Sequence, residues 1–405
     1  MGYGGTRGGW YGLLRVVYLD IVSVEDSYGS PSYQKLPLVV ERGFGAKVWD
    51  NAGREYIDYL ASYGVAFLGH SNPSVVDAVR EQASKLMSCH GSLYTPVRSE
   101  LLERLASIAP RGLTRVYLSN SGAEAVEVAI KLARRYTRKK KIVSMKGGYH
   151  GKTFGALSAT WNPKYKEAFE PLVPGFVFAE YGDPESLRSC VDGETAGVIV
   201  EPVQGESGVI IPPSDYLREV REVCDAAGVL MIADEIQTGL GRTGKMWACE
   251  HAGVTPDILL VGKVLGGGLP LSATVARGDI GASLMKGEHT STYAGNPLVC
   301  AAGKAAIEYI TSHDVCGEAA KKGGKLLSEL TTLAQTKKSV RSVRGLGLMI
   351  ALELKIDVRN PLLSALSRGL IMGYSGRTIL RLLPPVVTDE SEMSKAVELI
   401  DSVLQ

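Results

Sequence analysis

Apolar residues in the middle of the chain form short continuous runs that are separated by longer amphipathic segments. Five such runs occupy residues 115–118, 141–145, 196–200, 229–233 and 258–261. Runs of this length and character are typical of parallel strands buried on both faces of a sheet, and helices usually connect such strands. The pattern therefore predicts an α/β fold with a mostly parallel central sheet flanked by helices.

The segments on either side follow other patterns. Residues 38–60 contain three short strand patterns with a turn at 50–53, which predict a small sheet. From Asn72 and Pro73 onward the pattern is helical, because these residues suit an N-cap and a first helical position. The last hundred residues mix helices with strands and predict a smaller α+β domain.

At 405 residues the chain is longer than the roughly 250–300 residues at which a single core stops growing, so we expect several domains. We expect a poorly ordered N-terminal extension, an N-terminal segment with the small sheet, a large cofactor-binding domain and a C-terminal small α+β domain. Their predicted bounds are residues 1–27, 28–71, 72–305 and 306–405.

Composition excludes several classes of protein. Hydrophobic residues make up 45% and charged residues 22% of the chain, and the net charge is +2. This balance is typical of a globular protein and does not predict nucleic acid binding. No apolar stretch approaches the roughly 20 residues of a membrane span, and no secretory signal is apparent. The six cysteines form no CxxC pair and predict reduced thiols in the cytoplasm.

Polar groups follow each of the five predicted strands. These groups lie at residues 119–122, 147–150, 201–206, 234–237 and 263. Ligands of open α/β sheets bind beyond the carboxyl ends of the strands, so we expect the five groups to meet at one site.

Two of these residues suit one particular chemistry. Lys263 follows the fifth run and precedes three glycines, and Asp234 follows the fourth run. A lysine amine can attach an aldehyde cofactor covalently, and an acid can keep a pyridine nitrogen protonated. The pair therefore predicts a site for pyridoxal 5'-phosphate.

Other motifs leave alternatives open. Ser121 and Glu124 have capping-box spacing, so the helix start there either is simply capped or binds a phosphate that Gly122 admits. Residues 239–244 match GxGxxG but do not directly follow a strand, which makes a dinucleotide site a remote alternative. Arg381 lies in an apolar strand and needs an acid partner or an anionic ligand.

Tyr149 and His150 are ambiguous in the same way. Tyr149 is either a core aromatic residue or a ring that stacks on a flat ligand. His150 could act as a base, whereas the absence of a second histidine or cysteine at ligand spacing predicts no metal site.

In these motifs the chain resembles the class III pyridoxal-phosphate aminotransferases of fold type I, from about residue 37 to residue 387. Among them it is most similar to the acetylornithine, ornithine and carrier-protein-linked (LysW) aminoadipate-semialdehyde transaminases. The motifs are SNSGAE at 119–124, YHG at 149–151, EPVQGE at 201–206, DEIQTG at 234–239, GRTG at 241–244, GK at 262–263, GGG at 266–268, STY and GNP at 291–297, and Arg381 with the prolines at 384–385.

The resemblance implies which residues bind the cofactor. Lys263 would carry it covalently and transfer the proton, and Asp234 would pair with its pyridine nitrogen. The remaining contacts would be Gln237 to the ring hydroxyl, Tyr149 to the ring face, and Ser121, Gly122 and Ala123 at the phosphate. Thr292 would reach the phosphate in the partner subunit, so the enzyme would be an obligate homodimer with shared active sites.

The resemblance also implies a substrate site. Arg381 would bind the α-carboxylate of glutamate, and Glu206 would neutralise Arg381 when the second substrate presents its terminal amine. Close relatives usually have an arginine that grips the distal carboxylate where this chain has Lys152. Lysine keeps the charge but loses the bidentate fork. Tyr63 is expected at the same end of the pocket.

We therefore expect an aminotransferase that moves a terminal amino group between an ornithine-like or lysine-like substrate and 2-oxoglutarate or glutamate, in lysine or arginine biosynthesis. The substrate could be free, N-acylated or attached to a small acidic amino-group carrier protein. A 4-aminobutyrate-type or other ω-amine transaminase is the alternative within the family, and residues 204–206 disfavour a glutamate-semialdehyde aminomutase. A nicotinamide-dependent oxidoreductase or a non-catalytic binding protein are the alternatives outside it.

Overall fold

A computed structural model describes residues 21–404, and a seven-stranded sheet forms its centre. Its strands are β4 (Leu113–Ser119), β5 (Lys141–Met145), β6 (Phe176–Ala179), β7 (Thr195–Val200), β8 (Leu230–Asp234), β9 (Ile258–Val261) and β10 (Ser272–Arg277). They lie in the order β4-β10-β9-β8-β7-β5-β6 across the sheet. The strand β10 is antiparallel to both of its neighbours, and the other pairs are parallel.

The five apolar runs are thus confirmed as strands, and the predicted mostly parallel sheet is present. The sequence pattern missed β6 and β10. The strand β10 contains Ser272 and Thr274, whose hydroxyls donate to the carbonyls of Ser121 and Ala125. These polar side chains are buried because they are hydrogen-bonded, and they interrupt the apolar run that marks the other central strands.

Two smaller sheets flank this centre. One consists of β1 (Val40–Phe44), β2 (Lys47–Asp50), β3 (Glu55–Asp58) and β13 (Leu370–Ile371), and the other of β11 (Val340–Leu346), β12 (Met349–Leu354), β15 (Ile379–Leu382) and β14 (Gly373–Ser375). The small sheet predicted at 38–60 is therefore present. Its fourth strand, β13, pairs with β3 from more than 300 positions away, which a local pattern does not reveal.

Helices cover both faces of the central sheet. Asn72 caps α2 by accepting a hydrogen bond from the Ser74 N–H at 3.1 Å, as predicted. The helices are α1 (Ile21–Tyr28), α2 (Pro73–Lys85), α3 (Pro96–Ile108), α4 (Gly122–Thr137), α5 (Phe154–Ala159), α6 (Pro184–Cys190), α7 (Tyr216–Ala227), α8 (Gly278–Gly281), α9 (Pro297–Ser312), α10 (Val315–Thr336), α11 (Arg359–Ser367) and α12 (Glu390–Val403). None of the helices within residues 21–404 is long and apolar enough to cross a membrane.

The N-terminal extension predicted at 1–27 falls partly outside the described residues, which begin at 21. Within the described part of this segment, residues 21–28 form the helix α1. Lys35 lies 3.2 Å from Glu25 and 2.8 Å from Asp26, so it joins α1 to the segment that follows. The division into the four domains remains a proposal.

Candidate active site

The loops that follow β4, β5, β7, β8 and β9 meet around one cavity of about 290 Å³. They meet because these parallel strands end at the same edge of the sheet. The cavity is lined by Gly122, Ala123, Tyr149, His150, Gly151, Lys152, Glu201, Glu206, Asp234, Ile236, Gln237 and Lys263. The expected convergence of the five polar groups is therefore confirmed.

Lys263 lies at the inner wall of the cavity, two residues after β9. Its φ of 46° places it in the left-handed region, which a residue with a side chain rarely adopts and which often occurs at functional sites. Burial lowers the pKa of its amine to about 8, and the nearby carboxylate of Glu206 opposes this shift. A minor but appreciable fraction of this amine is therefore neutral near physiological pH.

Asp234, the last residue of β8, is held by two hydrogen bonds. His150 Nδ1 lies 2.6 Å from one carboxylate oxygen, and the Ile236 N–H donates to the other at 3.1 Å. Both side chains are buried. Burial alone would lower the pKa of His150, but the hydrogen bond to Asp234 and the charges of Asp234 and Glu201 together outweigh burial and raise it. The pair therefore keeps a carboxylate in the cavity wall.

The start of α4 faces the cavity with free backbone donors. Ser121 caps the helix, since its hydroxyl accepts from the Glu124 N–H at 3.3 Å. No hydrogen-bond acceptor among residues 21–404 engages the N–H groups of Gly122 and Ala123. A Cβ at position 122 would lie only 2.9 Å from Ile236, so glycine admits a close approach there. Free N–H groups at a helix start form an anion site.

Arg381 enters the site from β15, and only 1% of its side chain is exposed. Its guanidinium donates to Glu206 at 2.8 Å and to the side-chain oxygen of Gln237 at 3.0 Å. The predicted need for an acid partner is therefore met. Burial would raise the pKa of Glu206, but Arg381 and then Lys263 outweigh burial and lower it. The pair is consequently ionic, with Glu206 on the cavity side.

Two further predicted residues lie at the outer part of the site. Lys152 lines the cavity, and its ammonium lies 4.8 Å from the centre of the Tyr165 ring. Tyr63 belongs to a short turn of residues with positive φ and is 47% exposed. Burial, followed by the charge of Glu206, raises the pKa of Tyr63. Tyr63 does not line the cavity, but it lies close enough to Glu206 for that charge to affect its pKa.

Thr292 does not line the cavity of its own chain. It is exposed in the loop before α9, where the neighbouring Ser291 accepts a hydrogen bond from Asn120 at 3.3 Å. This placement leaves Thr292 accessible to another molecule.

The family resemblance assigned no role to His150 or Glu201, although both line the cavity. Glu201 follows β7 and accepts hydrogen bonds from the N–H groups of Tyr149 at 2.9 Å and Gly205 at 3.2 Å. Burial raises the pKa of Glu201 to about 7. The available signal was position, because each of these residues lies directly beyond a strand end beside an assigned residue.

The GxGxxG match at residues 239–244 does not form a dinucleotide site. This loop is buried, no helix begins at its end, and a Cβ at Gly239 would lie 2.9 Å from Trp247. Arg242 within it is buried and donates to the carbonyls of Leu348 and Pro384 at 2.9 and 2.8 Å. The loop therefore joins elements of the fold and leaves no room for a pyrophosphate.

The cavity fits pyridoxal 5'-phosphate in the chemistry of its donors. It presents a partly neutral amine, a buried carboxylate and free N–H groups at the start of a helix. These groups match an aldehyde, a pyridine nitrogen and a phosphate.

Comparisons with known proteins point the same way. The family model described as class III aminotransferase matches residues 28–404. An acetylornithine aminotransferase of Methanopyrus kandleri is 45% identical over 388 residues, which cover 95% of this chain and 99% of the relative. A [LysW]-aminoadipate semialdehyde transaminase of Deinococcus radiodurans is 42% identical, with 95% of this chain and 90% of the relative covered.

A solved structure is similar over nearly the whole molecule. It is an ornithine aminotransferase of Toxoplasma gondii, described as having partial occupancy of PLP at its active site. Its TM-score is 0.93 at 32% sequence identity, and the match covers 99% of this chain and 98% of the other.

Proposed function

This chain belongs to the class III aminotransferase family, whose members use pyridoxal 5'-phosphate on a type I fold, and from this we propose that it moves the terminal amino group of an ornithine-like or lysine-like substrate to 2-oxoglutarate. The observation that carries the proposal is the contact between Arg381 and Glu206 in the cavity that also contains Lys263. One cation with its own removable counter-ion suits a site that binds two differently charged substrates in turn.

Lys263 and Asp234 act on the reacting atoms in this proposal. Pyridoxal phosphate supplies an electron sink when it is bound. Lys263 attaches the cofactor and, as a partly neutral amine, moves the proton at the substrate carbon that bears the amino group. Asp234 holds the pyridine nitrogen protonated, and His150 fixes the carboxylate from the opposite side at 2.6 Å.

Five more residues help to orient the cofactor. The free N–H groups of Gly122 and Ala123 bind the phosphate, and Ser121 keeps the helix start in place by capping it. Tyr149 lines the cavity and stacks on the ring, with its backbone held by Glu201 at 2.9 Å. Gln237 bonds the ring hydroxyl.

Arg381 and Glu206 select between the substrates. When glutamate binds, Glu206 turns away and Arg381 takes the α-carboxylate in a charge-assisted contact. When a terminal-amine donor binds, no carboxylate comes near Arg381, so Glu206 stays paired with it at 2.8 Å. Without Glu206 the donor would leave a buried arginine unpaired, which is unfavourable.

The outer part of the site takes the far end of the donor. Lys152 binds the distal carboxylate as a single positive charge, and Tyr63 is proposed to assist at the same end of the pocket. The names of the relatives support acetylornithine, ornithine and carrier-linked aminoadipate semialdehyde as the substrate classes, and hence a place in arginine or lysine biosynthesis. An acidic carrier protein is accordingly a proposed partner.

The enzyme acts as a homodimer in which Thr292 contacts the phosphate bound by the partner subunit. Its exposure in a loop outside its own cavity supports this role. Large apolar side chains are also exposed nearby, which is typical of an interface. We name them the apolar patch, and they are Leu86, Met87, Leu93, Tyr94, Met285 and Tyr293. Arg98 joins the segments of this patch through carbonyls of Cys89, Leu93 and Gly295.

We also propose a cytoplasmic location. All six cysteines are free, which suits a reducing compartment.

A panel of amino donors tests the proposed substrate class. Purified enzyme is incubated with 2-oxoglutarate and ornithine, N-acetylornithine, 4-aminobutyrate or carrier-linked lysine, and glutamate formation is measured. The proposal expects the highest kcat/KM with ornithine, N-acetylornithine or carrier-linked lysine. In these donors the distal carboxylate lies beside a free, acylated or carrier-linked α-nitrogen. A highest value with 4-aminobutyrate would favour the ω-amine alternative.

A further inference from the structure

Lys152 is a cation in the cavity wall whose ammonium has no acid partner. None of the ion pairs among residues 21–404 includes it, whereas Arg381 in the same site is paired with Glu206. The ammonium lies over the face of the Tyr165 ring, 4.8 Å from the ring centre. This distance is within the range of a cation–π interaction.

Tyr165 is held in a defined position by the loop that carries it. It ends a short helical turn, Pro163–Tyr165, that Asn162 caps through the Lys164 N–H at 3.1 Å. The Trp161 N–H donates to the Gly148 carbonyl at 2.9 Å, which fixes this loop to the one that carries Tyr149.

The ring of Tyr165 joins the two ends of the site. It meets the ring of Tyr149 edge to face at 5.9 Å and an interplanar angle of 78°, while Lys152 lies over its face. Burial, followed by the charge of Glu206, raises the pKa of Tyr165, so the ring also lies near the substrate cavity. Tyr165 therefore contacts the proposed ring-stacking residue and the proposed carboxylate-binding residue at once.

We propose that Tyr165 is a positioning residue that allows lysine to bind the distal carboxylate at position 152. This inference rests on the proposed function of Lys152. A lysine ammonium is a point charge on a flexible stem and lacks the fork that orients an arginine. The ring face holds the ammonium at the cavity wall before the substrate arrives, which reduces the ordering that binding requires. Tyr165 thus makes the site selective for donors with a carboxylate remote from the reacting amine.

A double-mutant cycle tests this inference. KM and kcat are measured for Tyr165→Leu, Lys152→Met and the double variant, with N-acetylornithine and with pentylamine, which has no carboxylate. Tyr165→Leu should raise the KM for N-acetylornithine by about 2- to 30-fold and leave its kcat and the KM for pentylamine unchanged. It should have no further effect in the Lys152→Met background.

Three further variants refine the test. Tyr165→Phe should behave like the wild type, because the ring face remains. Lys164→Met removes a positive charge from an exposed neighbour in the same turn and should leave KM unchanged. In a Lys152→Arg background, Tyr165→Leu should raise KM less than it does beside lysine, since the guanidinium fork needs less orientation.

The outcomes separate this inference from the proposed function. If Lys152→Met leaves the KM for N-acetylornithine unchanged, both the carboxylate contact and the inference are wrong. If Lys152→Met raises KM while Tyr165→Leu does not, or if the two effects simply add, only the role of Tyr165 is wrong. Equal losses beside lysine and beside arginine would also contradict it. The violet absorbance of the bound cofactor and the rate of the glutamate half-reaction check that each variant retains an intact site.

Discussion

At the scale of single residues, the proposed function makes Glu206 the counter-ion that determines which charge Arg381 presents to a substrate. Arg381 is almost fully buried, and Glu206 is the acid that contacts it. Glu206→Ala should raise the barrier of the half-reaction with the terminal-amine donor by about 1–3 kcal/mol, because Arg381 would then lack an acid partner. The half-reaction with glutamate should be spared or improved, since glutamate brings its own carboxylate. Single-turnover rates for each half-reaction decide this, and equal losses in both would mean that Glu206 only supports the site.

A second residue-scale prediction concerns the pH dependence of cofactor attachment. Burial lowers the pKa of the Lys263 amine to about 8 from its usual 10.5. The neutral, reactive amine therefore predominates above about pH 8. Apoenzyme mixed with pyridoxal phosphate should develop its violet absorbance about tenfold more slowly for each pH unit below 8, and the rate should level off above 8.

A rate of cofactor attachment that keeps rising up to pH 10 would contradict this prediction. It would mean that the Lys263 amine behaves as a solvated lysine. Lys263→Ala serves as the control for attachment to any other lysine and should show no such absorbance. Circular dichroism at each pH verifies that the fold persists over the range.

At the scale of elements, two substitutions at the start of α4 distinguish a structural role from a binding role. Ser121→Ala removes the cap and should lower the free energy of unfolding by about 1 kcal/mol, with little change in cofactor affinity. Gly122→Ala places a Cβ 2.9 Å from Ile236, which lines the cavity. The resulting overpacking costs about 1–3 kcal/mol and should therefore weaken cofactor binding by about tenfold or more.

Cofactor titration of the two apoproteins, together with denaturant unfolding, measures both effects. If Ser121→Ala weakened cofactor binding as much as Gly122→Ala, the phosphate would depend on the cap hydroxyl and the backbone N–H groups would not be the main donors.

The elements also show how far sequence patterns reach. The five apolar runs were correctly predicted as strands because burial on both faces leaves a continuous local signal. The strand β10 was missed because its buried Ser272 and Thr274 are satisfied by carbonyls of α4, a contact that lies about 150 positions away in the chain. The pairing of β13 with β3 is equally non-local.

The site follows the same division. Lys263, Asp234 and the helix start at Gly122 could be predicted, because each follows a recognisable run. The contact of Arg381 with Gln237 as well as Glu206 could not, since it depends on how β15 packs against the loops of the central sheet. The contact of the Lys152 ammonium with the Tyr165 ring could not be predicted either, because Tyr165 lies in a loop without a periodic pattern.

At the scale of the whole molecule, the proposed shared active site predicts complementation between subunits. A heterodimer of one Thr292→Val chain and one Lys263→Ala chain should contain one native site and one site with both defects. It should regain about half of the wild-type activity per dimer, whereas each parental homodimer should be impaired. Differently tagged chains, co-expressed and purified through both tags, provide the sample. A fully active monomer by light scattering would refute the shared site.

The most direct measurement of the central claim follows the nitrogen atom itself. Ornithine and N-acetylornithine are prepared with 15N only at the terminal amine, and each is incubated with enzyme and unlabelled 2-oxoglutarate. If the enzyme transfers the terminal amino group, the glutamate that forms should carry 15N in both reactions, as detected by mass spectrometry. Unlabelled glutamate from ornithine, with no glutamate from N-acetylornithine, would show that the α-amine reacts and would contradict the proposed function.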